Sequence, residues 1–358
     1  MSISRSTHVA FLQRYACVQP YDSNFAQSNR ASQSLIGHGY GTRLCCFAAL
    51  KAPSMKNMLQ NILMHWAARL LFALLLCAGL VHADTAPPGA NYAASLRARY
   101  AELRPQLSNN QFKRPLYLES VESSGHLRGD VYALIDHSFD SVSQALTDPM
   151  HWCDVLILHL NTKYCHASAD KANSTLTVSV GKKSFQSLDQ AYPVEFTYGV
   201  ASSTPEYFDV RLLAKSGPLS TSDYRIALEA VTVQPGKTLL HLTYSYSYGL
   251  VGRLAMQAYL VTAGSGKVGF TLAGNSANGH PVYIGGLRAA VERNAMRYYL
   301  AIDAYLAALA TAPNLQFEAR LKNWFASTEQ YSLQLHEIDL ESYLEMKRSE
   351  YLRMQKSP

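Results

Sequence analysis

Residues 207–248 alternate between two kinds of side chain. In "YFDVRLLA" the even positions are Phe208, Val210, Leu212 and Ala214, and the odd ones are Tyr207, Asp209, Arg211 and Leu213. "DYRIALEA" sets Tyr224, Ile226, Leu228 and Ala230 against Asp223, Arg225, Ala227 and Glu229. "LLHLTYSYSYGL" sets Leu240, Leu242, Tyr244, Tyr246 and Tyr248 against His241, Thr243, Ser245 and Ser247. Successive side chains of a strand point to opposite faces. Three neighbouring strands therefore share one apolar face tipped with phenols and one charged face, and the apolar face is expected inside.

The rest of the pattern supplies the neighbours. "NYAASLRARYAELRPQL" has helical spacing up to Pro105, and "LYLESVES" and "HLRGDVYALID" read as strands. "SFDSVSQALTDPMHWCDVL" reads as two short helices, with Ser138 and Asp140 cap-like and a break at Asp148-Pro149. "ILHLNTKYCHA", "STLTVSVGKK" and "YPVEFTYGVA" join these strands, Gly, Pro and Ser clusters separate the members of the set, and Pro235-Gly236 marks a tight turn before "TLLHLTYSYSYG". No helices intervene to carry parallel crossovers, so the strands are expected to form an antiparallel meander. "GLVGRLAMQAYLVTAG" then predicts a short helix and "GKVGFTLAG" another strand. "GGLRAAVERNAMRYYLAIDAYLAALA" predicts a long helix with an apolar stripe through Val291, Ala295, Tyr298, Ile302, Tyr305 or Leu306, and Leu309, ended by Pro313. The charged tail is mostly helical, with Leu321, Trp324 and Phe325 expected to pack in the core.

Charge changes the picture only until the first 83 residues are set aside. The chain carries 32 Lys+Arg against 26 Asp+Glu. From Met55 it runs through Lys56 and Arg69 into an apolar stretch, Leu70 to Leu80, followed by "VHA" and Asp84, the pattern of a secretory signal peptide cleaved after Ala83. The apolar stretch is shorter than the roughly 20 residues of a membrane span, and Leu76 before Cys77 opposes a lipobox. Residues 1–54 read as an untranslated or disordered leader, with a cytoplasmic extension before a signal anchor as the alternative. Processing removes seven basic residues and Asp22, leaving 25 basic and 25 acidic residues. That balance gives no reason to expect a nucleic-acid or anionic-surface partner.

Processing also leaves only Cys153 and Cys165. In an oxidising compartment they read as one disulfide; a free buried pair or half a metal site are the competing readings. No C-x2-C or H-x3-H spacing accompanies His151, His159 and His166, so no metal is expected.

The element order, with "DHSFDSVSQALTDPMHWCDV" and "ERNAMRYYLAIDAYL", resembles the helix-grip, START-like (SRPBCC) superfamily over about residues 127–309. The resemblance implies an α+β fold: a curved antiparallel sheet wrapped around a long C-terminal helix, enclosing a cavity for lipids, sterols or other apolar small molecules. It carries over no catalytic residue. This chain departs from simple members by the helix near Val251–Tyr259 and by added helical tails. The expected organisation is a signal peptide over 55–83, an N-terminal helical segment over 84–115, a helix-grip domain over 116–312 and a helical extension over 313–358.

Motifs for other chemistry fail on context. "GSGKVG" at 264–269 leads into a strand rather than a helix and reads as a hairpin turn. The expected function is therefore an exported, periplasmic or secreted, binder or carrier of an apolar small molecule, lipid or sterol-like, with no cofactor. The candidate ligand-binding residues are Tyr224, Ile226, Leu228, Leu242, Tyr244, Tyr246, Tyr248, Tyr298 and Ile302. A tightly packed tyrosine core is the other reading of the same side chains. If the faces were inverted, Arg211, Asp223 and Arg225 would anchor a polar head group. The alternative function is a cavity enzyme, a cyclase, hydratase or hydrolase, using a tyrosine or Asp136 with His137 as acid or base. A carrier would meet an envelope membrane or transporter transiently.

Overall fold

The computed structural model describes residues 88–356 apart from 169–173 and 263; the leader and the signal peptide lie outside the described residues. Strands β1 (Leu116–Ser123) and β2 (His126–Ile135) form a hairpin, followed by helices α2 (Phe139–Leu146) and α3 (Pro149–Leu156). Strands β3 (Thr162–Ala167), β4 (Thr175–Val180), β5 (Tyr192–Thr204), β6 (Tyr207–Gly217), β7 (Thr221–Gln234) and β8 (Lys237–Tyr248) run as a meander. They join one antiparallel sheet in the order β1-β2-β8-β7-β6-β5-β4-β3, so β2 pairs with β8 and only β1 and β3 are edges.

Ser138 caps α2 by accepting from the Ser141 N–H, and Asp148 caps α3 by accepting from the Met150 N–H at 2.9 Å, with Pro149 in the first helical turn. The Cys153–Cys165 disulfide ties α3 to β3 across a Cα–Cα distance of 5.3 Å. The predicted strand "ILHLNTKYCHA" begins only at Thr162. Residues 157–161 instead turn back on α3, with the His159 N–H donating to the Leu156 carbonyl.

The long helix α5 (Gly286–Ala307) lies in the curve of the sheet over β1, β2 and β8. Its close approach is made at Gly129, where a Cβ would stand 3.2 Å from Ala295 Cβ and 3.3 Å from the Val291 carbonyl oxygen. Helix α5 ends at Ala307, before Pro313, because the chain tightens into a 3-10 turn over Ala308–Ala310; Leu309 is exposed there rather than on the buried stripe. Helices α6 (Gln316–Glu329), α7 (Ser332–Leu335) and α8 (Leu340–Lys356) pack beyond it, with Leu321 and Trp324 buried. Trp324 Nε1 donates to the Arg297 carbonyl at 3.2 Å.

Two expectations for the segment before α5 need correction. Helix α4 (Leu250–Val261) is followed by a turn at Gly266, so 264–269 connects a helix to a loop and is no hairpin. The expected additional strand shrinks to β9 (Leu272–Asn275), which pairs only with β10 (Pro281–Tyr283) and stays outside the main sheet. Its neighbouring loop is clamped by buried Glu292 of α5, which accepts from the N–H groups of Phe270 and Thr271 and from the hydroxyls of Thr271 and Ser120.

The charged outer face is not left to solvent. Helix α1 (Pro88–Ser108) lies across it and packs Ala93, Leu96, Leu103 and Leu107 against Tyr132, Tyr207, Val231 and Leu239. Pro105 does not end this helix: it and Ala101, whose carbonyl would have received the missing N–H, face solvent, where water replaces the lost bond. Beneath α1, His241 is 8 % exposed. Its Nδ1 lies 2.8 Å from Glu229 and its Nε2 2.9 Å from Asp130. Arg128 grips Asp130 with two bonds, Thr243 donates to the same carboxylate, and Tyr207 donates to Glu229. The His241 ring stacks on Tyr132 at 4.2 Å, and the guanidinium of Arg99 of α1 lies over the Tyr132 ring at 5.3 Å from its centroid.

Candidate functional site

The inner face carries the phenols. Register places Tyr198, Leu212, Ile226 and Tyr244 side by side on β5, β6, β7 and β8, a row about 14 Å long at ~4.8 Å per strand. Tyrosines thus stand at both ends of an apolar floor. Helix α5 lays Asn294 and Tyr298 against the Tyr244 end, one turn apart. Both keep accessible surface, although their helix neighbours Ala295, Arg297 and Tyr299 are buried.

The rings form one cluster. Tyr224 stacks on Tyr246 at 5.2 Å, Tyr244 meets Tyr298 at 5.2 Å, and Tyr244 meets Tyr246 at 5.7 Å. Tyr224 shares a hydrogen bond with Thr221 Oγ1, and the Tyr246 hydroxyl points to Met256 Sδ of α4. Tyr248 sits half-exposed at the strand end, donating to Glu122. Leu228, Leu242 and Ile302 are buried in the same core cluster. Burial pushes the phenols of Tyr224, Tyr244, Tyr246 and Tyr298 up from their ordinary range, and neighbouring tyrosines add to the effect. They are neutral, able to donate and accept, and unsuited to act as phenolates.

His159 completes the cluster. It stands in the turn after α3 and stacks on Tyr298 at 4.8 Å. Its Nδ1 accepts from the Asn161 N–H at 3.1 Å, which assigns the ring proton to Nε2. Burial holds its pKa well below the ordinary value, and the charges of Arg297, Lys347 and Lys183 push the same way, so the ring is neutral. The buried Nε2 has no hydrogen-bond partner, and neither has the buried hydroxyl of Tyr198 at the far end of the row. The carboxamide of Asn294 stands beside both His159 and Tyr244. Helix α8 fixes the turn: Tyr343 donates to the Leu158 carbonyl at 3.0 Å, and Lys347 to the carbonyls of His159 and Thr162 at 2.7 and 2.8 Å.

The inverted-face anchors are not brought together. Arg211 pairs with Asp209 on the outer face, while Asp223 and Arg225 are exposed near the β7 start, Asp223 with a φ of 52°. The even-position phenols take the inner side, so these three charges line no inner site. Asp136 is on the exposed rim, paired with Lys237, and the His137 carbonyl accepts from Thr238. Sequence reasoning passed over His159, Asn294 and Tyr198. His159 flanks the cysteines in a segment read as strand; Tyr198 lay within the alternation of "YPVEFTYGVA" and was legible there.

Two surface depressions lie elsewhere on the molecule. An open depression of about 490 Å³ is bounded by one face of α8, from Leu340 to Arg348. One of about 200 Å³ lies near Phe112, Phe270 and Tyr331, where Gln111 donates to the Phe270 carbonyl and Tyr331 to that of Phe112. Among the described residues no cluster of three or more His, Cys, Asp or Glu is arranged to hold a metal ion, and no helix is long and apolar enough to cross a membrane.

An eight-stranded antiparallel sheet curved around a long helix defines an α+β helix-grip protein. No protein-family model and no curated protein matches the chain. Norcoclaurine synthase from Thalictrum flavum is similar at 12 % identity over 42 % of this chain and 80 % of that one, with a TM-score of 0.28. Human StAR-related lipid transfer protein 5 is similar at 10 % identity over 48 % and 90 %, with a TM-score of 0.27. A conserved protein from Geobacillus kaustophilus is similar at 13 % identity over 38 % and 84 %, with a TM-score of 0.27. The fold assignment rests on the sheet order and the gripped helix.

Proposed function

We propose that this chain is an exported binder or carrier of an apolar small molecule, lipid or sterol-like, held between the inner sheet face and α5. The observation that carries the reading is a buried apolar row with unsatisfied polar atoms at each end: Tyr198 Oη at one, His159 Nε2 at the other. Buried polar groups without partners cost free energy and are rare in native cores. A ligand with an apolar body and polar ends would satisfy them. Entry displaces the rings of Tyr224 and Tyr298, the half-buried members of the cluster; side-chain rotation between staggered wells opens that space.

Periplasmic or secreted placement belongs to this reading, supported by the disulfide. A transient membrane or transporter partner would deliver and receive the ligand. Acid–base chemistry is less well served, because Asp136 and His137 stand away from the cluster and its phenols titrate upward rather than downward.

Native mass spectrometry of the chain from a secreting bacterial host tests the reading. Stoichiometric apolar ligand is expected, lost when Tyr246 and Leu228 are replaced by Trp. A protein that stays empty after incubation with lipid extracts overturns it.

A further inference from the structure

The charges around His159 are strongly one-sided. Among the described residues Lys183, Lys267 and Arg297 converge on the carboxylate of Glu337, and Lys163 and Lys347 on that of Glu350, so in these ion pairs five cations stand against two carboxylates. Three of them, Arg297, Lys347 and Lys183, act directly on the imidazole. Within this field the buried His159 N–H makes no hydrogen bond of ordinary geometry, and the Asn294 carboxamide is a neutral group that can accept from it. Beside it stand the Asn294 carboxamide and the neutral phenols of Tyr244 and Tyr298. A cationic end group would be repelled here. A hydroxyl would accept the N–H bond but leave the charge surplus unanswered. A carboxylate does both, and charge-assisted bonds are roughly twice as strong as neutral ones.

We propose that the ligand is a long-chain carboxylic acid whose carboxylate is received by His159 Nε2–H at the Tyr244 end of the row, with its chain along Ile226 and Leu212 toward Tyr198. The assignment rests on the carrier reading above and narrows its ligand class. His159 is a binding residue; Tyr343 and Lys347 are positioning residues that act through the backbone of its turn.

The test uses the full-length chain expressed in a secreting host and stripped of lipid, titrated at neutral pH with hexadecanoate, hexadecan-1-ol and hexadecylamine. Hexadecanoate is expected to bind at least about tenfold more tightly than the alcohol, with the amine weakest. Asn294→Asp sets a carboxylate beside His159 with almost no change of shape; it should weaken the acid by about tenfold or more and the alcohol by clearly less, narrowing or reversing the acid preference. His159→Phe keeps the stack on Tyr298 and removes the donor, and should bring acid and alcohol closer together. Acid and alcohol bound alike by the parent protein, or an acid affinity untouched by Asn294→Asp, overturns the carboxylate assignment and leaves the carrier reading standing. Failure of all three probes to bind overturns the carboxylate assignment, and a protein that also stays empty after incubation with lipid extracts overturns the carrier reading with it.

Discussion

Replacing His241 with Phe asks whether charge holds the covered outer face together. The imidazole lies 2.9 Å from Asp130 and 2.8 Å from Glu229, with side-chain exposures of 9, 5 and 27 % for the three groups. Phe keeps a ring to stack on Tyr132 but leaves both carboxylates facing hydrocarbon. Breaking a buried ion pair from one side costs about 3–5 kcal/mol. Asp130 retains Arg128 and Thr243, and Glu229 retains Tyr207, so the low end applies: about 3 kcal/mol, or ~6–12 °C in Tm for a domain of this size. The pH dependence has a definite sign. Burial opposes protonation of His241, but its bonds to Asp130 and Glu229 outweigh that and raise its pKa. Its contribution is therefore full below about pH 6.5 and is lost as pH climbs through the folded value. Burial likewise opposes ionisation of the two carboxylates, and their hydrogen bonds, His241 first, outweigh it and hold them low. Their contribution is present above about pH 4 and is lost on acidification. The gap between parent and variant should be widest at about pH 5–6.5 and narrow on either side. Thermal melts followed by circular dichroism from pH 3 to 10 measure it, with the His241 titration read by NMR. A variant as stable as the parent at pH 6, or a gap that does not change with pH, would refute the reasoning.

Replacing Cys153 and Cys165 by Ala opens a loop of twelve residues' separation and should lower unfolding free energy by about 3 kcal/mol, visible in denaturant titrations; a midpoint equal to the parent's would show that the bridge contributes nothing. Gly129→Val puts methyl groups against Ala295 and the Val291 carbonyl and should cost about 1–3 kcal/mol by lifting α5 from β2, an effect absent if the helix can shift freely. Burial pulls the pKa of Lys347 down to about 8, Lys163 adding to the shift and Glu350 opposing it. Its charge therefore burdens the fold below about pH 8 and the burden is relieved as pH rises to about 10.5. Stability of the parent relative to Lys347→Met should climb across that window; parallel curves would contradict this.

Period-two alternation made the inner face readable, because in β6, β7 and β8 the hydrophobic set leaves one choice of which side is buried. The same signal misled about the outer face. Asp130, Glu229 and His241 look like solvated residues, and only the apolar spacing of Ala93, Leu96, Leu103 and Leu107 hints that a helix needs somewhere to pack. His159 escaped notice for a different reason. Its role comes from a bond to Asn161 two residues away and from cations up to 188 positions distant, and neither the turn nor the long-range partner leaves a periodic trace. The local strength of the Ile157–Leu160 apolar run read as strand, and the turn closing α3 won because its carbonyls find donors on α8.

Order of synthesis gives those α8 contacts a temporal meaning. Tyr343 and Lys347 secure the backbone of Leu158 and His159 across 185 and 188 positions of sequence. A chain made from its N-terminus has its sheet strands available well before the segment that steadies His159 has emerged. The inner row can take shape early, yet its polar end gains a fixed orientation last. On the carrier reading, an apolar compound met before α8 has formed would find hydrophobic surface but no organised polar end, so selectivity would follow α8 rather than the sheet.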